Sequence, residues 1–328
     1  MTALTRGLAR SLALQVRIHR FEAVAVAIFT IAALGASAGL WARLLAFGLP
    51  RSCFASGPGF DQGCAARQFE VTDYLTMAGE LGTWVIIGIA FMPLVAGLVV
   101  GVSAVGQEIE RRTAALAWSV APSRRRWLLG AVVPGAVFVT AACLVAGVIA
   151  NGLEAARNPT VDPNLTFQHL GLRGVAIGAA GLGVFGIALA AGARLGRVLP
   201  ALLVSGALAL GLYAATSWGI DRALENETVA RPVPMIDENG GWWETGRVYD
   251  TRVRTPDGEV ITWDEAIARY PEFTQGDAEF LQDWAQVLIT APGELYPITE
   301  WRMATVFAAI GLAGIVLAFA FVERRRPT

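Results

Sequence analysis

Gly106–Trp127 reads GQEIERRTAALAWSVAPSRRRW, and seven of its residues carry charge: Glu108, Glu110, Arg111, Arg112, Arg124, Arg125 and Arg126. On either side of it the chain runs for about twenty residues without a single charge. A charged island between two uncharged runs marks a chain that leaves a lipid layer, turns and re-enters it. Working outward, six such runs appear: Ala23–Ala42, Leu81–Val105, Leu128–Ala150, Val175–Ala193, Val198–Trp218 and Met303–Val322. At 1.5 Å per helical residue, each is long enough to cross a hydrocarbon layer of ~30 Å. The composition agrees, with 55% hydrophobic and only 16% charged residues over 328 positions, too apolar for a water-soluble domain of this length. The runs are continuously apolar rather than alternating, which excludes a strand barrel. The sequence predicts an all-α integral membrane protein with six transmembrane helices.

The connections give the orientation. Residues 1–22 hold Arg6, Arg10, Arg17 and Arg20 with no acid before Glu22, and Leu4, Leu8, Leu12 and Leu14/Val16 are spaced for an amphipathic helix on an anionic lipid surface. That helix reads equally well as a basic anchor or as a part with a mechanical role. With six spans, this segment, the 106–127 loop, the Arg194–Arg197 turn and the tail ERRRPT share one side and together carry fourteen arginines. The short connections 43–80 and 151–174 on the other side carry five. The positive-inside rule therefore places both termini in the cytoplasm and the protein in the plasma membrane. Cys53 and Cys64 fall in the first outside connection, where oxidising conditions favour a disulfide, with two free thiols as the other reading. Cys143 sits inside an apolar run as a small buried hydrophobe.

The long connection 219–300 is acidic, with 17 Asp/Glu against 6 Arg, and reads as a small mixed α/β extracellular domain between spans five and six. Thr255-Pro256-Asp257-Gly258 lies between two β-branched runs, which predicts a hairpin. A helix is expected from Trp263, and a second from Asp277, where Phe280, Leu281, Trp284 and Leu288 share one helical face. Trp242, Trp243, Trp263 and Trp284 are expected to form its core. The remaining units are the spans over 23–218, with their cytoplasmic loop 106–127, and the last span with its basic tail over 301–328.

Several chemistries are excluded by composition. All 26 basic residues are arginine, so the lysine of a phosphate-cradling P-loop is missing. The two histidines, His19 and His169, fall in no zinc or triad motif and on opposite sides of the membrane, so no metal site, cofactor site or catalytic residue is expected. No ionisable residue stands at the middle of a span, which disfavours an ion-coupled carrier. Nothing points to nucleic acid as a partner; lipid is the surrounding medium.

The 106–127 loop is too long for a tight turn. Gln107–Trp118 is rich in helix formers, Ile109, Leu116 and Trp118 suit the membrane side of a surface helix, and Pro122-Ser123 breaks it before the Arg124–Trp127 cluster. The residues alone leave open a solvated loop anchored by Arg124, Arg125 and Arg126, or a contact surface for a partner.

This loop resembles the segment between spans two and three of ABC type-2 exporter permeases, especially an actinobacterial subgroup. There a small residue precedes E-x-E-x-G-T, followed by L-A-W-[S/T] and S-R-x-R-W. Glu108, Glu110, Thr113, Leu116–Ser119, Ser123, Arg124, Arg126 and Trp127 match. Arg112 departs, standing where the family usually has glycine, which bears on the local turn rather than on the helix. The six-span layout, the basic start, the long outside segment and the YPITEWRM lead-in extend the resemblance over the whole chain. It implies a permease subunit that exports a hydrophobic or amphipathic substrate. It also implies docking through Glu108, Glu110, Arg111, Arg112 and Thr113 onto a separate cytoplasmic ATPase, which carries the ATP and Mg, and pairing with a second permease copy. The Gly97/Gly101 and Gly174/Gly178 spacings permit close helix crossings within one bundle or between two. The competing reading is a membrane-anchored receptor or scaffold whose acidic outer domain binds a partner.

Overall fold

The computed structural model describes residues 20–54, 62–114, 123–234, 246–270, 272 and 283–325, so the basic segment before Arg20 lies outside the described residues. In chain order, α1 (Arg20–Ala46) is followed by α2 (Gln68–Thr76), which runs through a π turn into α3 (Gly82–Ser103). Then come the short α4 (Gly106–Glu110), α5 (Arg124–Arg157), α6 (Gly174–Leu195) and α7 (Val198–Glu225). Strands β1 (Val229–Pro234), β2 (Arg247–Arg254) and β3 (Val260–Thr262) precede α8 (Trp263–Arg269), β4 (Ala285–Ala291) and α9 (Tyr296–Arg324). Six of these helices are long and apolar enough to cross a membrane, and each contains or closely matches one of the predicted runs. They outrun the apolar stretches: α5 starts at Arg124 rather than Leu128 and ends at Arg157 rather than Ala150. An apolar run measures the thickness of lipid, whereas a helix continues until its backbone is capped. For α5 that cap is Ser123, whose hydroxyl accepts from the Arg126 amide at 3.2 Å.

α6 is the most buried span and packs against α3, α5, α7 and α9. Its sequence, GVAIGAAGLGVFGIALAAGARL, offers small residues on several faces, so neighbouring helices approach to main-chain contact. A Cβ on Gly101 of α3 would stand 2.7 Å from both the Ala188 Cβ and the Phe185 carbonyl oxygen. Gly97 lies against Val184, and Gly178 against Leu144 of α5. The Gly97/Gly101 and Gly178 positions thus serve crossings inside one bundle. On the α9 side the contact is tighter still, since a Cβ on Gly186 would fall on the Gly311 carbonyl.

Strands pair in the order β1-β4-β2-β3, all antiparallel, with Arg252 opposite both Thr262 and Val287. The hairpin expected at Thr255–Gly258 is present, and Gly258 supplies the left-handed residue at φ 87°. The helix expected from Trp263 is α8, closed by a capping box between Thr262 and Glu265. The second helix expected from Asp277 is corrected over its described part: Ala285–Ala291 is β4, paired with β1 on one edge and β2 on the other, while Phe280 and Leu281 lie outside the described residues. A short apolar run such as Val287-Leu288-Ile289 suits a strand and a helical face alike, and periodicity alone does not separate them. Trp284 is buried with Val253, Ile261 and Ala266 and meets the Tyr270 ring edge-on at 5.0 Å. Trp263 is instead exposed on the surface of α8, and Trp242 and Trp243 lie outside the described residues. β1 carries Pro232 and Pro234, which only an edge strand tolerates.

The sheet rests on one end of the bundle. Ala291 and Tyr249 join a cluster with Phe167, Ile220, Leu224, Tyr296 and Phe307, and Arg247 bridges to Asp221 of α7 at 2.7 Å. Cys53 and Cys64 form the anticipated disulfide near the same end, eleven residues apart. The Cys53→Ser/Cys64→Ser variant is expected to lose roughly 3 kcal/mol of stability on the chain-entropy estimate. Melting of the two proteins in detergent would show it, and an unchanged midpoint would mean that the bridge constrains nothing.

Candidate functional site

The end of the bundle opposite the sheet carries the loop with which the sequence reading began. α4 is one and a half turns rather than the helix expected over Gln107–Trp118. It stops because Arg112 adopts φ 60°, the left-handed conformation in which an ordinary side chain crowds its own backbone. This is the position at which the resembling permeases have glycine. The Arg112→Gly variant is accordingly expected to be neutral or stabilising by up to about 1 kcal/mol, whereas Arg112→Val should cost about 1–2 kcal/mol. Thermal melting of the two variants would distinguish this from a turn held only by its side chain. Leu116 and Trp118 lie outside the described residues.

α4 is seated on two spans. Gly106 approaches Gly192 of α6, and Ile109 joins the apolar core beside Gly196, the left-handed residue that ends α6. Glu110 accepts a hydrogen bond from the Val198 amide at 2.8 Å. Val198 is the first residue of α7, whose own N-cap, Arg197, offers no side-chain bond. Glu110 thus supplies both the missing acceptor and a negative charge at the positive end of a 28-residue helix. Of the five candidate docking residues, Glu110, Arg111, Arg112 and Thr113 are exposed and Glu108 is half-buried. Thr113 folds back to donate to the Glu108 carbonyl at 3.2 Å.

The arginines expected to serve as an anchor are more specifically placed than a basic flank requires. Arg124 donates to the Arg325 carbonyl at 2.7 Å, Arg125 is ion-paired with Glu323, and only Arg126 is left pointing outward without a described side-chain bond. Arg325 in turn donates to the Ala193 carbonyl at 2.9 Å, so the starts and ends of α5, α9 and α6 are laced together. None of these bonds was visible in the sequence, because they join positions up to 201 residues apart.

At the sheet end, charged residues in and around the 151–174 connection form a buried polar cluster. Arg173 is 1% exposed and donates to the Pro163 carbonyl at 2.5 Å, to the Thr166 carbonyl and to Asn151 at 3.3 Å, with its guanidinium 4.4 Å above the Tyr296 ring. Burial pushes this guanidinium below the usual arginine range, although Tyr296 and Glu154 act in the opposite direction. Glu154, 2% exposed, contacts His169 at 3.1 Å, Asn158 at 2.6 Å and Arg157 at 3.6 Å. Arg157 also donates to the Ala78 carbonyl at 2.8 Å, tying α5 to the π turn before α3. A cavity of about 360 Å³ opens beside this cluster, between Asn158, Gln168 and Arg247. Among the described residues no three His, Cys, Asp or Glu side chains gather as a metal set.

A bundle of membrane-length helices, with a charged segment wedged between two of them at one end, is what the comparisons with known proteins can be set beside. No curated protein and no solved structure matches the chain. The family described as "ABC-2 membrane transporter related" matches residues 23–220, from the start of α1 to within a few residues of the end of α7 and including the whole of the charged loop. That is well over half of the sequence, and the chain belongs to this family of membrane transporter components.

Proposed function

We propose that this chain is the permease subunit of an ATP-binding cassette exporter. It moves a hydrophobic or amphipathic substrate across the plasma membrane, with ATP and Mg held by a separate cytoplasmic ATPase that docks on Glu108–Thr113. The observation that carries this reading is the seating of α4: its inner side is fixed to α6 and to the first amide of α7, while Glu110 to Thr113 remain exposed. A segment fixed to the spans and exposed to water can pass a partner's movement into the bundle. The missing P-loop lysine supports the assignment of hydrolysis to another chain. On this reading the arginine-rich end and both termini are cytoplasmic, the sheet and the Cys53–Cys64 bridge are extracellular, and a second permease copy completes the pore.

The seating also decides which substitutions test the reading. Glu110 holds α7, so reversing it would disturb the bundle as well as any contact. Arg111 and Arg112 are exposed, and the Arg111→Glu/Arg112→Glu variant is expected to insert and melt normally while losing roughly tenfold or more in association with the ATPase subunit, as charged contacts at an interface do. Co-purification from detergent and cargo-stimulated ATP hydrolysis measure this. Normal co-purification with normal stimulation would return the loop to a solvated anchor.

A further inference from the structure

The arginine lacing leaves a cavity that the docking segment does not use. Ala193, Arg194, Phe321, Arg324 and Arg325 line about 480 Å³ between the ends of α6 and α9. Three of the five lining residues are arginine, and none of the three forms an ion pair among the described residues. The nearby acid, Glu323, is already taken by Arg125. Arg325 is fixed twice, by its bond to the Ala193 carbonyl and by Arg124 on its own carbonyl. Its guanidinium lies over Gly196, where a Cβ would stand 2.5 Å from Nη2, so the left-handed glycine that ends α6 also makes room for the arginine. Arg325 neutralises the negative end of the α6 dipole, and among the described residues no carboxylate pairs with Arg194 or Arg324 at the cavity mouth. Phe321 gives the cavity an apolar floor, with Arg194 5.9 Å from its ring centroid.

We infer that this cavity binds the phosphate of an anionic phospholipid headgroup. Both helices are membrane-length, so their ends stand at headgroup depth, and arginine forks match phosphate oxygens. The apolar floor continues into the lipid-facing side of α9, where Leu317 is exposed, and suits the glycerol and upper acyl chain rather than a free ion. An arginine near an anionic surface accounts for roughly a fivefold gain in binding, so removing two should weaken lipid retention about thirtyfold.

The test uses the full chain in phosphatidylcholine nanodiscs with and without 30% phosphatidylglycerol, and native mass spectrometry from mild detergent. The unaltered chain is expected to retain phosphatidylglycerol and to melt higher when it is present. Arg194→Gln/Arg324→Gln should lose both effects while melting normally in pure phosphatidylcholine. Arg43→Gln/Arg51→Gln, which removes the same charge from exposed positions at the opposite end of the bundle, in the last turn of α1 and just beyond it, should keep them. If the double variant does not fold, Arg194→Gln alone, on the exposed last turn of α6, replaces it with an expected fivefold loss. Equal retention of phosphatidylglycerol by the 194/324 and 43/51 variants would overturn the site. Inorganic phosphate raising the melting point in phosphatidylcholine as much as the lipid does would overturn the lipid as its source.

Discussion

The Gly186→Val variant is expected to yield little or no monodisperse protein from detergent, the largest single effect of any substitution in the bundle. Overpacking a site lined by side chains costs about 1–3 kcal/mol, because the neighbours turn aside. At Gly186 the neighbour is main chain: a Cβ would overlap the Gly311 carbonyl, and Gly314 faces Gly186 in return. Carbonyls cannot rotate out of a helix without breaking its ladder, so α6 and α9 must separate along the whole crossing. Even Gly186→Ala should lower the melting midpoint clearly. Gly211→Ala is the matched control, since nothing stands within 4 Å of its Cβ direction on the exposed side of α7, and it should be neutral or slightly stabilising. Size-exclusion profiles and melting curves of the three proteins decide the matter, and a well-folded Gly186→Val would refute the crossing.

Loss of Arg173 is expected to be nearly as severe. Arg173→Ala would strip the half-buried Pro163 carbonyl and the Thr166 carbonyl of their arginine donor and remove a cation from beside Glu154, a disruption that costs about 3–5 kcal/mol when one member of a buried charged set is deleted. Arg173→Lys should not restore stability, because a single ammonium cannot reach three acceptors and lie over the Tyr296 ring together. Melting in detergent reads both variants. A lysine that fully rescued would show that charge alone matters there and that the fork geometry does not.

The difference between what was readable and what was not has a physical source. Six spans, the hairpin, the start of α8 and the Cys53–Cys64 pairing follow from local rules, such as apolar length and a Pro-Asp-Gly turn. β4 is hidden by Val287-Leu288-Ile289, a short apolar run that a strand and a buried helical turn share, and β1 by its prolines, which argue against any strand except an edge. At the candidate docking segment, the residues themselves were legible from their charge. Their seating was not, since the Glu110–Val198 bond spans 88 residues and the end of α4 depends on one left-handed arginine. The same limit hid the cluster around Arg173, whose members looked like ordinary flanking charges until α5, α6 and α9 were brought together.

The bond from Glu110 to Val198 has a mechanical consequence when α7 is considered as a rod. Its 28 residues span ~42 Å. One tip is hooked by Glu110, and near the other Asp221 is paired with Arg247 of β2 while the Asp221 carbonyl accepts from Tyr249 at 3.3 Å. α7 is also loosely packed along its length, with Leu199, Leu203, Leu208, Leu210 and Trp218 exposed. A stiff rod pinned at its tips and held along one side only, by Ala201, Ser205 and Ala209, pivots more readily than it bends. Tilting it by about 5° about its middle swings each tip by ~2 Å in opposite directions, so a sideways push on four exposed residues at one membrane face arrives as a displacement of the sheet at the other.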